Sequence, residues 1–327
     1  MSKTLKILSR PKGNAEEYGR WSVNPYIGCS HGCLFCYLKK GPSGAYLGQD
    51  KPVLKKGVVN DEHAYHLAMA EIIEHRDEII RDGGLFMTFT SDPCAPETRE
   101  LNFRIAANAI DMGVPVTLLT KNATFYQFET MERMIREVPK MNLTESVRKT
   151  MVREGLLFMT YFGDLRTELV KRIVAFGWTL TGHDELEPSA DPNVFRLQTM
   201  KRMSQDGFKT WASIEPVIDF PSSLDMIYQA LNAGCQHFKI GLLTNNTRVV
   251  RKPFEFGEHK FDAYKVNDCL HFIEDVMRMT DGKATVYWKQ SVRDLLSTEL
   301  YEDTIEDIIG HYPHSVGKDW SMFKKEG

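Results

Sequence analysis

The sequence predicts an α/β fold: a parallel sheet curled into a partial (β/α)6 TIM-like barrel with a C-terminal helical extension. Three observations carry this. Short apolar runs alternate with amphipathic stretches along most of the 327 residues, the pattern of strands joined by helical crossovers. The runs are near-continuously apolar, as strands buried on both faces are. They number about six or seven, short of the eight in a closed barrel.

Taken in order, the first apolar run is Trp21–Ile27, which leads into a Gly-rich, cysteine-bearing loop. Asp61–Arg81 reads as a helix with Leu67, Ile72, Ile73, Ile79 and Ile80 on one broad face, stopped by Gly83 and Gly84. Leu85–Thr90 is a buried strand. Thr98–Met112 is a helix with Leu101, Ile105 and Ala109 in register, and Pro115–Thr120 is the next strand. Helical patterns fill Phe125–Val138 and Leu143–Arg153, and Leu156–Phe162 is another apolar run. Asp164 opens a helix reaching Ala175, and Trp178–Thr181 reads as a strand, so the sheet takes one strand or two from Leu156–Thr181. Asp191 and Pro192 cap a helix ending near Gly207. Lys209–Ile214 and His237–Leu243 are strands separated by a helix over Ser222–Ala233. A long loop then leads to a helix over Asp262–Met279, a last short strand Thr285–Trp288 and a polar helical tail. The corresponding organisation is an N-terminal arm over 1–20, the barrel over 20–280 and the extension over 281–327.

Composition places the chain among soluble globular proteins, with 42% hydrophobic and 26% charged residues and a net charge of −3. No whole-protein basic field argues for nucleic acid, although a local basic groove stays open. Met1–Arg10 is basic but no apolar run follows, and no window approaches a membrane span. The expectation is a cytoplasmic protein with no membrane partner.

Six cysteines are too few for a disulfide scaffold, yet three of them, Cys29, Cys33 and Cys36, fall within eight residues. Their spacing is C-x3-C-x2-C, with Gly28 and Gly32 to let the backbone fold tightly. Structural zinc and simple electron-transfer clusters each want four protein ligands. Three cysteines leave one iron of a [4Fe–4S] cluster open to a cofactor or substrate. A zinc loop with a distant fourth ligand, His31 or His183, is the competing reading. It would make the chain a metal-stabilised nucleic-acid or protein binding module without chemistry.

The loop resembles that of the radical S-adenosylmethionine superfamily, whose signature is this spacing with an aromatic residue, here Phe35, before the last cysteine. The segments NPYIGCSHGCLFCYLKKG, FTSDPCAPE and LLTKN together resemble the spore photoproduct lyase branch and its uncharacterised relatives, over residues 20–245. SIEPV (213–217) and YWKQS (287–291) resemble phage-encoded relatives of unknown function. The resemblance implies a radical SAM barrel and a [4Fe–4S] cluster on Cys29, Cys33 and Cys36. It further implies reductive cleavage of S-adenosylmethionine to a 5′-deoxyadenosyl radical and an electron donor such as flavodoxin or ferredoxin. By the same resemblance Phe35 and Tyr37 line the adenine side, Ser91 and Asp92 contact the cosubstrate, and Lys121 pairs with its carboxylate. Thr181 and Glu215 are further candidates, with structural roles as the alternative. The relatives point to a nucleobase or nucleotide substrate, free or in nucleic acid.

The chain also departs from that branch. The repair enzyme returns a hydrogen atom through a cysteine two residues before the Ser-Asp pair, with help from two tyrosines flanking the last cluster cysteine. Here those places hold Phe89, Phe35 and Tyr37, and only the last can donate. Cys94, two residues after Asp92, is a candidate substitute donor or a packed loop cysteine. His183, Asp184, Glu185 and Glu187 read as a polar loop capping a helix, or as acid/base groups or a second metal site. Arg248, Arg251 and Lys252 read as a solvated loop or a phosphate grip.

Overall fold

A computed structural model describes residues 5–126, 171–245 and 248–310. The helical patterns expected over Leu143–Arg153, nearly all of that over Phe125–Val138, and the run Leu156–Phe162 lie outside these residues. Eight strands form the main sheet: β1 (Leu8–Ser9), β2 (Trp21–Val23), β5 (Leu85–Met87), β6 (Val116–Thr120), β7 (Val174–Thr179), β8 (Lys209–Val217), β9 (His237–Leu242) and β14 (Thr285–Trp288). They lie in that spatial order. β1 is antiparallel to β2, and every other pairing is parallel. Six crossovers thus join seven parallel strands, which is the expected partial barrel, and β14 from the expected extension closes its last position.

Period-two alternation splits each strand between two environments. Met87, Leu118, Phe176, Trp178, Ala212, Ile214, Phe238 and Ile240 face outward into the main core. There they meet Ile105 and Ala109, Leu197 and Met200, Ile227 and Ala230, and Phe272 and Val276 from the surrounding helices. Each fully buried large side chain contributes about 1.5–3 kcal/mol to this shell. On the opposite face Phe86, Ala175 and Trp211 form a second, smaller cluster with Tyr18, Phe89 and Leu119. That cluster lies inside the barrel. Gly177 makes room for it, because a Cβ there would lie 2.1 Å from the Trp211 indole.

Three expectations shift. The first apolar run divides after Val23: β3 (Tyr26–Ile27) leaves the barrel and pairs with β4 (Val53–Leu54). The helix expected over Asp61–Arg81 breaks at His75 into Asp61–Glu74 and Arg76–Arg81, where the His75 ring meets Trp21 at 5.0 Å. Strand β7 starts at Val174, so the helix expected to reach Ala175 does not. Val174 and Phe176 are needed in the outer core, and Ala175 in the lumen. The long loop after Leu243 also carries two hairpins, β10 (Thr244–Asn245) with β11 (Arg248–Val249) and β12 (Phe254–Phe256) with β13 (His259–Phe261). Among the described residues no helix is long and apolar enough to cross a membrane.

Candidate active site

The cysteine loop leaves the C-terminal end of β2, where ligands of parallel α/β sheets bind. Gly28 has φ +87°, and a Cβ on it would meet the Gln49 and Lys51 carbonyls at 2.7 Å, so only glycine lets the loop lie on this segment. The Cys29 amide donates to the Gln49 carbonyl at 3.0 Å and the Leu34 amide to that of Leu186 at 3.0 Å. Cys33 is buried, and Cys29 and Cys36 are half-buried. Burial, the Asp92 charge and the other two sulfurs push the Cys29 thiol up to about 12, and burial likewise raises Cys33. The three sulfurs are therefore within electrostatic reach of one another.

Among the described residues no three His, Cys, Asp or Glu groups are drawn together to hold a single metal ion. Both histidines considered as a fourth zinc ligand are committed elsewhere. His31 bonds Asp92 through Nε2 at 2.9 Å, with Asn122 Nδ2 3.2 Å away. His183 lies between Glu185 at 2.7 Å and Asp219 at 2.5 Å. The donor set is three cysteines, which fits a cluster with one open iron.

Asp92 ties the loop to the strand ends. Its Oδ1 accepts from the Cys94 amide at 2.8 Å and Thr120 Oγ1 at 2.6 Å. Its Oδ2 accepts from His31 Nε2 and from the Lys121 amide at 2.8 Å. Burial pushes the carboxyl up, but the His31, Thr120 and Lys121 bonds outweigh it and hold Asp92 at about 2. Its four acceptor positions are occupied by protein, so it acts on the loop's frame. Ser91 is buried beside it, its hydroxyl 3.1 Å from Thr88 Oγ1.

Lys121 enters the site from the end of β6. Its Nζ is 3.2 Å from Cys33 Sγ, 2.6 Å from Glu187 Oε1 and 4.4 Å above the Phe35 ring. Arg196 Nη2 meets Glu187 Oε2 at 2.6 Å, with both side chains fully buried. Burial opposes the Lys121 charge, but Glu187 and Cys33 outweigh it and keep the ammonium protonated. This row of two cations and one anion leaves one net positive charge against Cys33. Glu187 had read as a capping-loop residue or an acid/base group. Its place in this row, and that of Arg196, had no local sequence signal, because the partners come from separate elements.

The remaining expectations divide. Tyr37 is exposed and its hydroxyl donates to the Phe89 carbonyl. Thr181 is fully buried, accepting from the His183 amide through Oγ1 at 3.3 Å. Cys94 is also fully enclosed, in the core shared with Leu101 and Ile105. The surroundings favour packing over an exposed hydrogen donor. Glu215 lies across the barrel, where it accepts from Lys289 Nζ at 2.5 Å and from Tyr18. Asp184 accepts from the Asn193 amide at 2.8 Å, which caps the following helix. Arg248, Arg251 and Lys252 are solvent-exposed. The β12–β13 hairpin, read as plain loop, instead reaches the site: Phe256 meets Phe35 edge-on at 6.1 Å and Phe261 meets His183 at 5.3 Å.

No protein-family model matches the sequence, and no curated protein does. Among solved structures, a mutant of spore photoproduct lyase superposes with a TM-score of 0.54 at 13% identity, over 88% of this chain and 81% of that one. The fold is that of spore photoproduct lyase. Another mutant of that enzyme, with bound AdoMet and dinucleoside spore photoproduct, gives 0.53 at 13% identity over the same shares. Streptococcus suis SuiB bound to S-adenosylmethionine gives 0.44 at 9% identity, over 86% of this chain and 53% of that one. In this chain the cysteine loop follows the first parallel strand, and Asp92 and Lys121 follow the next two.

Proposed function

We propose that the chain is a radical S-adenosylmethionine enzyme acting on a nucleobase or nucleotide, free or within nucleic acid. The observation that carries the reading is Lys121, a protonated ammonium fixed 3.2 Å from the buried cysteine of a three-cysteine loop. Bound to Cys29, Cys33 and Cys36, a [4Fe–4S] cluster would supply the electron that cleaves S-adenosylmethionine to a 5′-deoxyadenosyl radical.

The protein's own residues then bind and aim the cosubstrate. Lys121 takes its carboxylate, a charge-assisted pairing suited to a partly desolvated site. Arg196 offsets Glu187, so the Lys121 charge stays available to an incoming anion. Phe35 and Tyr37 face the adenine, with Ser91 as a neighbouring hydroxyl. Asp92 works through His31 and the Lys121 backbone, holding loop and lysine in register. An external one-electron donor such as a flavodoxin or ferredoxin is required. With Phe89 and Phe35 unable to donate hydrogen, the thymine-dimer repair relay is not the reaction assigned.

The test is anaerobic reconstitution with iron and sulfide, then S-adenosylmethionine and dithionite, with 5′-deoxyadenosine measured by chromatography. Wild type is expected to produce it, and Cys33→Ala to fall at least 100-fold. Equal yields from the two proteins would end this reading.

A further inference from the structure

Two segments singled out in the sequence, SIEPV and YWKQS, meet. Ser213, Glu215, Tyr287 and Lys289 converge inside the barrel on Glu17 and Tyr18, from the segment that precedes β2. Lys289 Nζ lies 2.5 Å from Glu215 and 3.3 Å from Glu17. Tyr18 donates to Glu215 and lies 2.8 Å from the Ser213 hydroxyl. The Gln290 amide donates to Glu17 at 2.7 Å, and Tyr287 reaches it at 3.4 Å. Lys239 Nζ donates to the Glu17 carbonyl at 3.0 Å and sits 4.5 Å over the Tyr18 ring. Gly241 leaves the space, since a Cβ there would lie 2.9 Å from Lys289 and 3.0 Å from Glu215 Oε1.

The group is closed on all sides but one. The side chains of Glu17 and Lys289 are each 2% exposed, whereas that of Glu215 is 23% exposed. Both donors to Glu215 use Oε2. Its Oε1 carries no hydrogen bond among the described residues. The Tyr18 ring already carries the Lys239 and Lys289 ammoniums at 4.5 and 4.4 Å, and the half-buried Phe89 lies edge-on to it at 6.1 Å while stacking on Phe86 at 4.5 Å. The lumen therefore offers the Phe89 ring and one oriented acceptor.

We infer that this lumen site binds the substrate as a planar, uncharged heterocycle whose ring-edge N–H donates to Glu215 Oε1 while its face lies against Phe89. The inference rests on the proposed nucleobase reading and deepens it. Charge decides the class. Glu215 is matched by Lys289, while burial raises the Glu17 carboxyl and lowers the Lys239 ammonium toward their neutral forms, so a cation gains little net attraction. A phosphate or carboxylate would meet the open Glu215 oxygen first and be repelled. A neutral N–H loses nothing to either and gains a charge-assisted bond to a carboxylate already held in place. Aromatic faces suit a base ring independently of its identity.

The test is binding rather than turnover. Reconstituted protein, with S-adenosylmethionine at saturation and no reductant, is titrated calorimetrically with deoxyadenosine, deoxyguanosine, deoxycytidine and thymidine. At least one should bind saturably, and Glu215→Gln should weaken it at least tenfold. Because that variant leaves Lys289 with a single acid partner, the double variant Glu215→Gln/Lys289→Gln is measured beside it. It restores charge balance and should bind as weakly. Benzylamine, an aromatic cation, should compete poorly. The inference fails if no nucleoside binds, if both variants bind like wild type, if benzylamine competes as well as the nucleoside, or if Glu215→Gln weakens S-adenosylmethionine instead. Failure of the radical reading shows separately, as absent 5′-deoxyadenosine.

Discussion

The two halves of the barrel use their carboxylates in opposite ways. On the β2–β5–β6 side Asp92 is 6% exposed and its four acceptor positions are filled by His31, Cys94, Thr120 and Lys121. On the β8–β9–β14 side Glu215 spends one oxygen on Tyr18 and Lys289 and leaves the other open. A carboxylate whose bonds are all internal fixes a frame, because any displacement breaks several buried bonds at once. One with a bound and an open oxygen is oriented yet unsaturated, which suits recognition. Rigidity thus belongs to the half that carries the cysteine loop, and the proposed recognition to the half that carries Glu215.

The comparison is most easily broken at Asp92. Asp92→Ala leaves four buried donors without their acceptor, and loss of one partner from a buried charged network costs about 3–5 kcal/mol. Urea denaturation should show that loss, together with reduced iron incorporation on reconstitution. A variant as stable as wild type would show that Asp92 frames nothing. On the lumen side the largest expected cost comes from packing. Gly177→Ala puts a Cβ 2.1 Å from Trp211, an overpacking that costs about 1–3 kcal/mol. Tryptophan fluorescence should shift with it. An unchanged spectrum at unchanged stability would mean that the Trp211 wedge is loose.

The smallest effect concerns the rim between the halves. The hydrogen bond to Asp219, with Glu185, raises the His183 pKa above 6.5 against the opposing effect of burial. His259 adds its influence on Glu185, and the Phe261 ring packs edge-on. A raised folded-state pKa stabilises fully below the unfolded value near 6.5, and the contribution disappears as pH rises through the higher folded value. Wild type should therefore lose melting temperature between pH 6 and pH 9 relative to His183→Gln, by the equivalent of about 1 kcal/mol or less. Parallel curves for the two proteins would remove His183 from the rim's stability.

Much of the frame was legible in the chain. β6, β9 and β14 fall within a residue of their predicted runs, because parallel strands buried on both faces are mostly apolar. The break at His75 and the early start of β7 were not, since each answers to a contact elsewhere: Trp21 for one, the outer core and lumen for the other. At the proposed site, the spacing of Cys29, Cys33 and Cys36 and the strand-end places of Asp92 and Lys121 are readable in the chain. Thr181 and Cys94, flagged on the same grounds, are both buried, the first accepting from the His183 amide and the second packed in the main core.

The sequence by itself determined a parallel barrel, a three-cysteine loop at the end of its first parallel strand, and the lack of a hydrogen donor at Phe89 and Phe35. These are local properties of spacing and residue type. Only the tertiary structure decided that Lys121 is backed by Glu187 and Arg196. It alone joined Glu215 to Lys289, 74 residues apart, around Tyr18. Ion pairs of this kind have no period and no fixed separation in the chain. They exist because barrel closure brings alternate residues of distant strands onto one inner face, where a buried charge must find its partner.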